Sequence, residues 1–335
     1  MFPCRSVRST LLAVIALTLT SAAQPSEDFS IRPPAVPTFH STVSEVRVTF
    51  FATDENHHAL PTLSPTDFAI VDGDRVVRNF RSFTRSDETS LDVVVLVDMS
   101  ASIAPRFRAT INYVLQLLAH DQSIPDDNLS ILSFGGSSDA SLRETSATLH
   151  PAVLCSGGCR AADTASRIQS ATSSGTTPLY DALIFGSDFL SHQHRAAARS
   201  VLILFSDGYD TISLHSSRDA LRSALDCGAL IYSVDIGGPS KRASGHPLLE
   251  TSGSTFLQQL AEQTGGLYFS PRVSDSNGTD TVLNAVLDDL HASYVVTYDL
   301  PNHRPGFHSL RLLPTHNLNL TFHHRTGYLY DFSLR

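Results

Sequence analysis

The stretch Val93-Val94-Val95-Leu96-Val97-Asp98-Met99-Ser100-Ala101-Ser102 most constrains this chain. Five consecutive apolar residues, four of them β-branched, have no polar face to offer water. Such a run fits a strand buried on both faces, as in a parallel sheet covered by helices. The Asp-x-Ser-x-Ser that follows then falls in the loop at the carboxyl end of that strand. Open α/β sheets place ligands at such strand ends. One carboxylate and two hydroxyls are hard oxygen donors, the type that suits Mg²⁺ and similar cations.

The remainder of the central region supports the same architecture. Pro105 to Ala119 carries Phe107, Ile111, Val114, Leu115 and Leu118 at helical spacing, with Pro105 suited to a first turn. Strands are expected at Leu129–Phe134, Ser200–Phe205, Leu230–Val234 and Leu267–Phe269. Leu142–Leu149 fits an antiparallel edge strand. Helices are expected at Ala161–Ser170, Pro178–Leu190, His215–Cys227, Phe256–Thr264 and Thr281–Ala292. Strands alternating with helices predict an α/β fold: a doubly wound, mostly parallel, Rossmann-like sheet with right-handed crossovers.

Shorter β segments flank this region. Ser44–Phe51 alternates, with Val46, Val48 and Phe50 on one face of a half-exposed strand. Phe68-Ala69-Ile70-Val71 and Val76-Val77 bracket Asp72-Gly73-Asp74, a hairpin signal. Phe80 and Phe83 follow in a third extended piece. Past the last helix, 294–298, 308–312 and 318–322 alternate like strands, and this tail is able to pair with the N-terminal segment. The expected organisation is 1–23 signal peptide, 24–38 linker, 39–88 N-terminal β unit, 89–292 the α/β domain and 293–335 C-terminal β segment.

The signal peptide rests on Arg5 and Arg8, the apolar Leu11–Leu19 and the small residues Ser21-Ala22-Ala23. The apolar run is short for a bilayer span, and no second one exists. The mature chain is therefore expected to be secreted or periplasmic, without a transmembrane span. Removing Arg5 and Arg8 from the 24 basic residues leaves 22 against 33 acidic ones, a net charge of −11. That charge argues against a nucleic-acid surface. Cys155 and Cys159, separated by Ser-Gly-Gly, are placed to bond in an oxidising compartment, and Cys227 reads as a buried free thiol.

Two further segments give the Asp98 loop its context. Ser174-Gly175-Thr176-Thr177-Pro178-Leu179-Tyr180-Asp181 runs from loop into helix. Val201-Leu202-Ile203-Leu204-Phe205-Ser206-Asp207-Gly208 is a second buried strand ending in Asp. In this order the three segments resemble the metal-ion-dependent adhesion site of the von Willebrand factor A domain. The mature chain as a whole is similar to secreted bacterial proteins related to that domain, a group first described as acidobacterial. The flanking Asp67-Phe68, Asp72-Gly73 and Arg325-Thr326-Gly327-Tyr328 also fit that group. The resemblance implies a divalent-cation site formed by Asp98, Ser100, Ser102, Thr177 and Asp207. The ion would be Mg²⁺, with Mn²⁺ or Ca²⁺ as alternatives. Thr177 is preferred to Thr176 for its spacing to Leu179-Tyr180-Asp181.

A site of this type implies a protein-binding, adhesion-type module whose cation accepts an Asp or Glu carboxylate from a partner protein. A structural envelope protein whose metal only holds loops in place is the alternative. A metal-assisted hydrolase is a third reading. It lacks support because no His or Glu lies in the three loops and no Gly-x-Ser-x-Gly, His-Glu-x-x-His or Gly-x-x-x-x-Gly-Lys occurs. The chain is thus expected not to be an enzyme. Of the 15 histidines, the pairs His57-His58 and His323-His324 and the group His192-x-His194 read as solvated surface. Asp181 reads as a local hydrogen-bonding residue near Thr177.

Overall fold

The computed structural model describes residues 45–56, 58–85, 90–120, 128–135, 151–157, 159, 166–168, 175–193, 198–237, 252–270 and 278–330. The expected signal peptide and linker, the 142–149 strand and most of the 161–170 helix lie outside these residues.

The Val93–Val97 run forms the middle of β5 (Leu91–Asp98), and all eight of its residues are buried. Alternate side chains leave opposite faces of a strand. Val93, Val95 and Val97 enter one apolar core, while Val94 and Leu96 enter another. β5 pairs in parallel with β6 (Asn128–Phe134) on one side and β8 (Arg199–Ser206) on the other. β9 (Leu230–Asp235) and β10 (Tyr268–Phe269) extend the sheet in parallel beyond β8. The far edge is β7 (Ala152–Cys155), antiparallel to β6. The sheet is therefore six-stranded and mostly parallel, in the order β10-β9-β8-β5-β6-β7.

Helices cover both faces. A 3₁₀ segment, Ala101–Arg106, and α1 (Phe107–His120) follow β5, so the helix expected from Pro105 starts two residues later. Ile103, Phe107, Ile111 and Val114 of this stretch pack on the Val93 face with Val282, Val286 and Leu290 of α5 (Gly278–Ala292). The other face carries α2 (Leu179–Gln193), α3 (Ser217–Cys227) and α4 (Ser252–Thr264), through residues such as Leu183, Ala224 and Leu257. α3 starts in a Ser216–Asp219 capping box and stops at left-handed Gly228, so the expected His215 start lies just outside the helix.

The flanking segments form two four-stranded antiparallel sheets. One has the order β13-β1-β11-β4, from β1 (Glu45–Thr53), β4 (Ser82–Arg85), β11 (Tyr294–Asp299) and β13 (Thr321–His324). The other, β14-β12-β2-β3, uses β2 (Phe68–Asp72), β3 (Arg75–Val77), β12 (Gly306–Pro314) and β14 (Gly327–Tyr330). Each sheet joins strands from both ends of the chain, so the pairing anticipated for the tail is present. Phe50, Phe68, Val296 and Tyr298 share a core within this unit.

β1 keeps Val46, Val48 and Phe50 on one buried face as expected, with Arg47 and Thr49 only partly covered on the other, where Phe51 enters the α/β core. Two expectations need correction. The strand expected at 318–322 lies at Thr321–His324 instead. Asn317 takes the preceding stretch into a turn by accepting the Asn319 N–H on its own Oδ1 at 3.1 Å, which leaves Leu318 exposed. His323 and His324 are half-buried rather than solvated. Burial lowers both of their pKa values, and the ring of His323 lies 6.1 Å from that of Phe51. Cys155 and Cys159 are disulfide-bonded, with Cα atoms 5.8 Å apart, and Cys227 is free and partly buried.

A buried polar network lies between the small sheets. Asp72 Oδ2 accepts the hydroxyls of Tyr298 at 2.9 Å and Tyr328 at 2.7 Å. His308 Nδ1 is 3.3 Å from Asp72 Oδ1. A buried carboxylate needs this kind of satisfaction, and here strands from both ends of the chain supply it.

Candidate metal centre

Strand order decides where a ligand site is able to form. The chain leaves β5 for α1 on one face of the sheet, and it leaves the adjacent β8 for α3 on the other. Their carboxyl ends therefore open a crevice at a topological switch point. Asp98 is the last residue of β5, and Asp207 follows the last residue of β8.

Asp98 is fully buried and held on both oxygens. Its Oδ1 accepts the Ser100 N–H at 2.9 Å, and its Oδ2 accepts the Ser206 hydroxyl at 2.8 Å. Ser206 Oγ in turn accepts the Gly208 N–H at 3.1 Å, so this hydroxyl links the two strand ends. The Ser100 and Ser102 hydroxyls are 2.9 Å apart, with Ser100 buried and Ser102 exposed. Asp207 is buried, and its Oδ1 accepts the Tyr209 N–H at 3.1 Å.

The loop before α2 closes the crevice. Gly175 O accepts the Ala101 N–H at 3.2 Å. Gly135, at the end of β6, sits where this loop meets the Asp98 loop, at φ +73°. A Cβ there would lie 2.9 Å from Thr176 O and 3.0 Å from Ser100 N. Glycine is needed on both counts, for backbone conformation and for space. Thr177 is buried while Thr176 is exposed. The Thr177 N–H donates to Thr211 Oγ1 at 2.8 Å, and Thr177 O accepts the Thr211 N–H at 2.9 Å.

Residues 93–209 match the family model of the von Willebrand factor type A domain. That span contains all three loops. The chain carries a von Willebrand factor type A domain. No curated protein matches it. Solved structures with a similar fold include the pilus adhesin SpaC from Lactobacillus rhamnosus GG in an open conformation. That one shows 12% identity and a TM-score of 0.46, covering 78% of this chain and 47% of that one. Manganese-loaded TRAP from Plasmodium vivax shows 17% identity and a TM-score of 0.41, covering 78% of this chain and 99% of that one. BatB from Bacteroides thetaiotaomicron shows 13% identity and a TM-score of 0.42, covering 60% and 98%. The family match and the sheet topology, not these likenesses, carry the assignment.

The electrostatics of the von Willebrand domain centre on the two carboxylates. Burial raises Asp98 from its ordinary 3.8 to about 6; bonds from Ser100 and Ser206 oppose the rise, and the charge of Asp207 adds to it. Among the described residues no Arg, Lys or His forms an ion pair with Asp98 or Asp207. Two buried carboxylates facing hydroxyls without a side-chain counter-charge suit a small hard cation. Among the described residues no group of three or more His, Cys, Asp or Glu is placed to hold a metal ion.

Several residues around the site carried no assignment from sequence. Ser206 was visible only as part of Ser-Asp-Gly, and its hydroxyl proves to support Asp98. Thr211 and Ser213 looked like ordinary loop residues. Asp235, at the end of β9, accepts Gly237 N–H, Ser254 hydroxyl and Tyr268 hydroxyl, each at 2.8 Å. A strand-terminal Asp beside Asp207 was the available signal for it. Asp181 bonds across to another loop, accepting the Leu214 N–H at 2.9 Å and the His215 N–H at 3.1 Å.

Proposed function

We propose that this chain is an extracytoplasmic, metal-dependent protein-binding module of the adhesion type. Asp98, Ser100, Ser102, Thr177 and Asp207 would hold a divalent cation, Mg²⁺ by preference, with Mn²⁺ or Ca²⁺ also suited to the oxygen donors. The observation that carries this reading is the pair of buried carboxylates, Asp98 and Asp207, beside two serine hydroxyls and with no ion-pair partner among the described residues. A bound cation supplies fixed positive charge with a position open to a carboxylate from outside.

The protein groups orient the site. Ser206 and the Ser100 N–H fix the Asp98 carboxylate, Gly135 lets the first two loops approach, and Thr211 holds Thr177. Their preorganisation reduces the ordering needed when a partner binds. The partner is a protein presenting Asp or Glu. A nucleic acid is disfavoured by the net charge of −9. Among the described residues no helix is long and apolar enough to cross a membrane. With the signal peptide expected at 1–23, this fits a secreted or periplasmic protein. Residues 89–292 would act as the binding domain on a base made by 39–88 and 293–335. The three loops offer no His or Glu as a general base, which favours binding over hydrolysis.

The test is the melting temperature of residues 24–335 in chelator and then in Mg²⁺, Mn²⁺ or Ca²⁺. At 100 times its dissociation constant the ion stabilises the fold by about 2.7 kcal/mol. The shift is expected in the native chain and absent from Asp98→Ala. No shift with any of the three ions, together with no metal by elemental analysis, would overturn the proposal.

A further inference from the structure

The two carboxylates of the crevice are held differently. Asp98 is bonded on both oxygens, by the Ser100 N–H and the Ser206 hydroxyl. Among the described residues the Asp207 carboxylate accepts only the Tyr209 N–H, at 3.1 Å. Its position therefore depends on the backbone packed around it.

Two glycines supply that packing. A Cβ on Gly237, two residues past β9, would lie 2.7 Å from Asp207 Cβ and 3.3 Å from its Cα. A Cβ on Gly253, in the first turn of α4, would overlap Asp207 O. Neither position has room for a methyl group, so both segments lie directly against Asp207. Asp235, the last residue of β9, holds both of them and is itself buried. Its Oδ1 accepts the Gly237 N–H, and its Oδ2 accepts the hydroxyls of Ser254, next to Gly253, and of Tyr268 on β10, all at 2.8 Å. The Ile236 N–H donates to Ser206 O at 3.0 Å and ties the same loop to the end of β8. One buried carboxylate with three donors thus joins the β9 loop, the start of α4 and β10 around Asp207.

We infer that Asp235 is a positioning residue for the cation: it lies outside the donor set and, through Gly237 and Gly253, fixes where Asp207 presents its carboxylate. This rests on the reading of the site under Proposed function and deepens it, because a fixed Asp207 also selects the ion. Mg²⁺ demands near-ideal octahedral geometry at about 2.0–2.1 Å, whereas Ca²⁺ accepts flexible ligands at about 2.3–2.6 Å. An Asp207 held in place favours the smaller ion, and a loosened one forfeits that preference. Residues that orient metal ligands typically contribute about 10–100-fold to metal affinity.

The test is calorimetric titration of residues 24–335 with Mg²⁺ and with Ca²⁺, for the native chain and three variants. Asp235→Ala removes all three acceptor bonds. Asp235→Asn removes the charge but keeps an oxygen for the Gly237 N–H, while the Ser254 and Tyr268 hydroxyls are free to turn and accept from its amide. Gly237→Ala pushes on Asp207 directly and leaves Asp235 in place. Asp235→Ala and Gly237→Ala are expected to weaken Mg²⁺ binding at least about tenfold and Ca²⁺ binding less than about threefold, with Asp235→Asn within about threefold of the native chain for both ions. Equal weakening by Asp235→Ala and Asp235→Asn toward both ions would assign the effect to charge and overturn the positioning role. Unchanged Mg²⁺ affinity in Asp235→Ala, whatever its melting temperature, would leave Asp235 a purely structural tie and overturn it as well. Should Asp235→Ala fail to fold, unchanged Mg²⁺ affinity in Gly237→Ala overturns it instead. A native chain that binds neither ion would show the cation site itself to be wrong, and the role of Asp235 falls with it.

Discussion

Replacing Asp98 by Asn gives opposite results with and without metal, and the structure sets the size of both. Burial lifts the Asp98 carboxyl from its ordinary 3.8 to about 6. The folded state therefore keeps its proton over a pH range in which the unfolded chain has released it. Stability falls wherever the folded state binds more protons and pH rises, so this group costs stability progressively from about pH 4 to pH 6. Above that window the whole cost is present. Two pH units of difference correspond to about 3 kcal/mol.

Asn has the same shape and no charge. It keeps an oxygen for the Ser100 N–H, and the Ser206 hydroxyl is free to turn and accept from its amide. In chelator at pH 8, Asp98→Asn should be more stable than the native chain by up to about 3 kcal/mol, or roughly 6 °C in melting temperature. At pH 4 the two should coincide. Saturating Mg²⁺ should raise the native chain alone and close the gap. The assay is urea and thermal unfolding of both proteins at pH 4, 6 and 8, with chelator and with Mg²⁺. If the variant is no more stable than the native chain in chelator at pH 8, the Asp98 charge is already compensated in the metal-free fold and the reasoning fails.

Two other perturbations test how the site and the scaffold are held. Gly135→Ala places a Cβ between Thr176 O and Ser100 N at a positive φ, so a loss of about 1–3 kcal/mol is expected. The Mg²⁺ melting shift should shrink at the same time, because the same contact spaces two of the loops proposed to hold the cation; an unchanged shift in a destabilised protein would separate the two effects. Asp72→Ala removes the carboxylate that accepts the buried hydroxyls of Tyr298 and Tyr328, and leaves Tyr328 beside His308 Nδ1 at 3.3 Å. Chemical denaturation should show a loss of at least about 2 kcal/mol, and a change under 1 kcal/mol would mean that water replaces the carboxylate.

The two fold regions differed in how far they were legible beforehand. β5 and β8 were readable because a strand buried on both faces must be apolar at every position, whatever its neighbours are. The helices carried their own period, and α3 its own capping box. Edge strands were harder. β13 lies three residues beyond its expected start, because the Asn317 side chain settles a local choice between turn and strand that hydropathy does not register. The partial burial of His323 and His324 has a related cause. A strand's second face is buried only when another unit covers it, and Phe51 on the neighbouring β1 marks that cover.

The site shows the same division. Sequence alone determined the candidate donors, since Asp-x-Ser-x-Ser, Gly-x-Thr and a strand ending in Ser-Asp-Gly are local patterns with local causes. The order of strands across the sheet was decided only in three dimensions, and with it the crevice between β5 and β8. So were the support of Asp98 by Ser206, 108 positions away, and the anchoring of the 209–214 loop on Thr177 and Asp181. These are long-range hydrogen bonds made by short polar side chains, to one another or to distant backbone N–H groups. Nothing in local composition marks which serine or threonine will find a partner, because that depends on which strand ends the completed sheet sets side by side.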